Sequence, residues 1–144
     1  MSITFAIYYA PDYPEITKSG LLNLEHLLPN PNKYCWSPGD FNRPWWFQYA
    51  MKDCDLEKDF DFYKIFEINE NNGDGFCFKQ DWNHMAEIAK DYLQKAEEFQ
   101  EILVRDSDKE NVYSIVKYYL ECVLLTAEYA LAQEHPEHYY IAWC

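Results

Sequence analysis

Asp53, Asp55, Glu57, Asp59 and Asp61 place five carboxylates on alternate positions of one short stretch, with Lys58 the only cation among them. If the stretch is extended, all five project from one face at intervals of about 6.6 Å, twice the rise of about 3.3 Å per residue in a strand. Such a row of anions matches Lys and Arg lining a basic groove. If it is helical, the same side chains scatter into a solvated face. The like-charge repulsion within the run exceeds what solubility asks for, and a basic partner relieves it. Just upstream stand Trp45, Trp46 and Phe47. Successive helical positions are about 100° apart, so the two tryptophans cannot face the same way. One is expected in the core, and the other either packs on a loop or serves as an aromatic anchor of the kind that dominates binding hot spots. The expected partner-binding residues are therefore Asp53, Asp55, Glu57, Asp59, Asp61, Trp45 and Trp46.

Other residues with chemical potential form weaker patterns. Glu70 to Asp81 overlays the twelve-residue calcium loop of the EF-hand at Asn72, Asp74 and Gly75, but Glu stands at its first position, Phe at its ninth and Asp at its twelfth. Aspartate reaches poorly for the bidentate contact that closes such a loop, so the stretch reads as a glycine-rich turn. His135 and His138 flank a proline and supply fewer ligands than zinc requires. His84 and Glu87 stand one helical turn apart, with no nucleophile or oxyanion motif to accompany them. Glycine-rich phosphate loops and nucleophile elbows are absent from the sequence. No catalytic residue, metal site or cofactor is expected.

The elements that must position these residues follow from periodicity. Ile3, Phe5, Ile7 and Tyr9 alternate with Thr4, Ala6 and Tyr8 as in a half-buried strand. Leucines from Leu21 to Leu28 suggest a short helix, and the proline-dense stretch from Pro29 to Pro44 reads as a long ordered loop. Pro44 suits the first position of a helix carrying Trp45 to Met51. Phe60 to Ile68 is rich in strand formers, and with Phe76 to Phe78 across the Asn71–Gly75 turn it predicts a central β-hairpin. From Asp81, an N-cap residue, apolar positions recur at helical spacing as far as Leu103. Ser107 and Glu110 form a capping box that opens a second helix, stopped by His135-Pro136, so two long helices form an antiparallel hairpin. Its segment Val123 to Ala132 is apolar nearly all round and is expected to be buried. Tyr139 to Trp143 is a closing strand or an apolar tail. The fold class is α+β: a small antiparallel sheet, from the N-terminal strand and the central hairpin, packed on a long C-terminal helical hairpin.

At 144 residues this is one domain, residues 1–144, with an apolar share of 49% that excludes disorder despite a net charge of -13. The charge is lopsided. Residues 1–52 are neutral, Asp12, Glu15, Glu25 and Asp40 being matched by Lys18, Lys33, Arg43 and Lys52, so the whole excess lies beyond. Such a chain repels nucleic acid and anionic membrane, and it attracts a basic surface. The five cysteines show no Cys-x-x-Cys pair, and neither a signal segment nor a bilayer-length apolar run is visible. The expectation is a reduced, cytoplasmic protein. The function expected from charge and size is a stoichiometric inhibitor of a basic protein, such as an immunity-type protein blocking a nuclease-like toxin, since nucleases are basic where they hold phosphate. The alternatives are a small enzyme or ligand-binding domain, with a pocket near the Pro29–Pro44 loop lined by Trp36, Trp45 and Trp46, and an acidic mimic of nucleic acid.

Overall fold

The computed structural model describes residues 4–13, 15–29, 36–66, 77–104 and 112–143. Strand β1 (Thr4–Tyr9) follows the N-terminal alternation, but both of its faces are covered. Phe5 and Ile7 are fully buried in the main core, while Ala6 and Tyr8 are buried on the reverse face beside Tyr140 and Ala142. A strand covered on both sides belongs inside a sheet. β1 pairs antiparallel with β3 (Asp40–Asn42) on one edge and with β5 (Tyr139–Trp143) on the other. Phe5 lies opposite Phe41, and Ile7 opposite Ile141. With β2 (Trp36–Ser37) and β4 (Cys77–Lys79) outermost, the strand order is β2-β3-β1-β5-β4 and every pairing is antiparallel. The C-terminal segment is thus a strand rather than a tail.

The expected central hairpin is not the one formed. Phe62–Phe66 is a helix, α2, and β4 pairs with β5 instead. Phe62, Ile65 and Phe66 stand at positions i, i+3 and i+4, and all three are buried. Burial of that one helical stripe outweighs the strand preference of the individual residues. The Asn71–Gly75 turn lies outside the described residues. The hairpin that does form lies in the proline-dense stretch, where Pro38 and Gly39 join β2 to β3. Gly39 has φ +78°, and Pro followed by such a glycine is the residue pattern of a type II turn.

Helix α1 spans Trp46–Asp53, two residues beyond Pro44. Asp81 caps α3 (Trp82–Glu98), its Oδ1 accepting from the His84 N–H at 3.1 Å. The expected continuous helix breaks at Phe99, and Gln100–Val104 forms a separate short α4. The capping box at 107–110 falls outside the described residues, and α5 runs Val112–Leu131. Val123, Thr126, Ala127 and Ala130 are buried, whereas Leu124 and Leu131 are half-buried and Glu128 is exposed.

Tyr119 on α5 is the centre of the core. Its ring, fully buried, meets Trp36, Phe41 and Phe47 at centroid distances of 5.3–5.6 Å, and its hydroxyl donates to the Pro44 carbonyl at 2.8 Å. Thr126, also on α5, accepts from the Gly39 N–H at 2.8 Å and donates to the Cys122 carbonyl at 2.7 Å. These two side chains tie α5 to both ends of the β2–β3 hairpin. No helix among the described residues is long and apolar enough to cross a membrane.

Candidate functional site

The acidic run is neither extended nor helical along its length. Asp53 is the last residue of α1, and the chain then turns twice before α2. The first turn is a Schellman closure. The Leu56 N–H reaches back to the Met51 carbonyl at 2.8 Å and the Asp55 N–H to the Lys52 carbonyl at 3.0 Å, with Asp55 at φ +59°. Met51 and Leu56, the apolar pair that accompanies this motif, are both buried. Glycine normally holds the left-handed position; aspartate is among the few other residues that tolerate it. The alternation of acid and apolar residues therefore comes from a helix end followed by tight turns, with Leu56 and Phe60 pointing inward and the acids outward.

The five carboxylates have different surroundings. Those of Asp53, Asp55 and Glu57 are exposed. Asp59 is half-buried, and its carbonyl accepts from Lys95 Nζ at 3.2 Å. Asp61 is committed to the fold: its Oδ1 accepts from the Tyr63 N–H at 2.9 Å at the start of α2, and its N–H and carbonyl both engage the Tyr92 hydroxyl, at 2.7 and 3.0 Å. Tyr92 and Lys95 on α3 thus hold the acidic turn in place. Asp91, one helical turn before Lys95, pairs with it at 3.4 Å. Burial above all, together with the negative charges of Asp61 and Asp91, pushes the Tyr92 hydroxyl up to about 12.

The two tryptophans serve as supports. Trp45 precedes α1 and packs edge-on against Phe5 at 5.5 Å; Trp46 tilts onto Trp36 at 4.9 Å. Both are half-buried against the core, so neither is a free anchor. The exposed aromatic residues at the acidic turn are different ones. Tyr49 on α1 is 65% exposed, and Tyr63 on α2 is 45% exposed. Tyr49 points away because Phe47 and Met51, two positions to either side, face the core, and it lies one helical turn before Asp53. That signal was present in the spacing of α1. The turn therefore presents exposed carboxylates between two exposed tyrosines, side chains that combine an apolar body with a polar tip.

Of the tryptophans expected to line an aromatic pocket, Trp36 is buried in the core and Trp45 and Trp46 are half-buried against it, while residues 30–35 of the adjoining loop lie outside the described residues. A cleft of about 550 Å³ adjoins the β2–β3 hairpin, and its described lining residues include no aromatic side chain. Near the C-terminus, His135 Nδ1 lies 3.1 Å from a Glu137 oxygen in an exposed pair. Among the described residues no group of three or more His, Cys, Asp or Glu side chains converges as a metal site would. No known protein family, curated protein or solved structure matches the chain.

Proposed function

We propose that this chain is a stoichiometric binding protein that covers a basic surface of another protein, as an immunity-type inhibitor covers the phosphate-holding site of a nuclease-like toxin. The observation that carries the reading is the placement of Asp53 and Asp55. Both sit at the C-terminal end of α1, where the helix dipole disfavours anions, and Asp55 occupies a left-handed position that glycine fills at less cost. Local stability argues against both residues. A surface that retains carboxylates where folding disfavours them, flanked by exposed Tyr49 and Tyr63, has the composition of a binding site for a cationic partner. Complementary charge accelerates such association and selects the partner.

The test uses the chain and its triple variant Asp55→Asn, Glu57→Gln, Asp59→Asn, immobilised in parallel and exposed to lysate of the source cells. The expected result is a basic protein held by the wild type and lost by the variant. Once purified, that protein should be inhibited at one-to-one stoichiometry, with an association rate that falls steeply with salt. A captured partner without a basic surface, or one held equally well by the variant, refutes the reading.

A further inference from the structure

Apart from glycine, two of the described residues have left-handed backbone, and they bracket one helix. Arg43, at φ +54°, lies three residues before α1, and Asp55, at φ +59°, lies two residues after it. Arg43 is the less expected of the two. It has none of the local tolerance that aspartate brings to this region, and the residue before a proline ordinarily takes extended backbone. The turn itself has a structural purpose, because it brings the Arg43 carbonyl to the Trp46 N–H at 3.0 Å, at the start of α1. Glycine would make that turn at less cost. The arginine side chain is what the turn leaves unexplained.

Its surroundings do not explain it either. Arg43 is exposed, and among the described residues no carboxylate pairs with its guanidinium. It stands just before the N-terminal end of α1, where the helix dipole favours an anion, while Asp53 and Asp55 stand at the other end, where it favours a cation. Each end of α1 thus carries the charge that the dipole disfavours. Between the two ends, Phe47 and Met51 turn inward and are buried, which leaves Tyr49, Lys52 and Asp53 as the outward face, all three exposed. Local costs of this kind concentrate where a chain performs its function.

A uniformly basic surface laid along α1 would be repelled by Arg43. Opposite charges at the two ends of a helix about 12 Å long, eight residues at a rise of about 1.5 Å, match a partner that carries both signs in the reverse order. We infer that the outward face of α1 is the docking surface, and that the basic partner carries, beside its cationic patch, a carboxylate that pairs with Arg43. The partner's cations meet Asp53 and Asp55, and Tyr49 lies between the two contacts. This pair of opposite charges fixes the direction in which the partner lies along α1. Arg43 therefore selects among basic proteins that the acidic turn alone would accept. The inference rests on the inhibitor reading for the basic character of the partner.

The probe is the basic protein that the wild-type chain retains from lysate of the source cells and that the triple variant of the acidic turn loses, purified and titrated by calorimetry into the chain and its Arg43 variants. Arg43→Gln should weaken binding by roughly tenfold or more and Arg43→Glu by more again, whereas Arg43→Lys should keep most of it. Arg43→Gly separates recognition from stability. It should melt roughly 1–4 °C above wild type, since the left-handed strain is relieved, and bind as weakly as Arg43→Gln. A residue with only a structural role does not gain stability and lose affinity in one substitution. Arg43→Gln and Arg43→Glu binding as tightly as wild type, or Arg43→Gly melting no higher than wild type, overturns the inference and leaves the inhibitor reading in place. Equal retention by wild type and the triple variant, or no basic protein retained at all, overturns that reading and the inference with it.

Discussion

Replacing Asp55 by glycine should make the protein more stable. An L-residue in the left-handed helical region costs roughly 1–2 kcal/mol, of which glycine loses roughly 0.5–1 kcal/mol through its greater freedom in the unfolded chain. The conformational gain is thus about 0.5–1 kcal/mol, reduced further by the tolerance that aspartate has for this region. Removing an anion from the C-terminal end of α1 adds about 0.3–1 kcal/mol. The sum is about 1 kcal/mol, which for a chain of this length raises the melting temperature by about 2–4 °C. Two companion variants separate the contributions. Asp55→Asn keeps the backbone tolerance and removes only the charge, so it should recover the electrostatic part alone. Asp55→Ala removes the charge but bears the full left-handed strain, and it should fall below Asn. Urea unfolding followed by tryptophan fluorescence is the assay, and the expected order of stability is Gly, Asn, then Ala. Asp55→Gly no more stable than wild type, or Asp55→Ala matching Asp55→Gly, would refute the Schellman reading and with it the claim that the turn sacrifices stability for its charge.

Core substitutions on α5 should divide by burial. Leu120→Ala, at a fully buried position, is expected to cost about 2–5 kcal/mol in urea unfolding, whereas Leu131→Ala, half-buried beside Pro136, should cost clearly less. Thr126→Val removes the acceptor of the buried Gly39 N–H and should cost about 1–3 kcal/mol, while Thr126→Ser keeps the oxygen and restores most of the loss. Burial pushes the Cys122 thiol up to about 12, so it stays protonated at neutral pH. Iodoacetamide at pH 8 should spare Cys122 in the native protein and label it in urea, as peptide mapping would read out. Because the fold disfavours the Cys122 thiolate, stability should also decline as pH rises past its ordinary value of 9.0.

The elements legible in the sequence were those whose signal is local and repeated. Asp81 followed by apolar residues at helical spacing gave α3 its start, and the alternation from Phe5 to Tyr9 gave β1. Phe60 to Phe66 looks like a strand residue by residue, because aromatic content is a strand feature, but the buried stripe of Phe62, Ile65 and Phe66 makes it a helix. The acidic run, open in the sequence to an extended or a helical reading, is neither. The backbone answers instead to a helix C-cap whose usual glycine is an aspartate, which removes the signal that a reader relies on. In the other direction, Pro38-Gly39 is a sound turn signal, but it was hidden among prolines that suggested a loop throughout. The acidic residues themselves were legible and their geometry was not. The cleft could not be read from sequence at all, since Ser37, Asp40 and Ala6, which line it, become neighbours only through the register of three strands.

That register also governs how the molecule must come into being. β1 is the first of the described elements, and one of its two pairing partners, β5, is the last of them. During synthesis β1 emerges before β5 and waits, with one hydrogen-bonding edge open, until β5 has followed it out of the ribosome. Contacts so distant in sequence close slowly, because the loop entropy is lost before any pairing rewards it. Helices α3 and α5 both precede β5 in the chain. Tyr139–Trp143 must come between β1 and β4 to complete the sheet, and until it does the β1 edge is open to pairing with another chain.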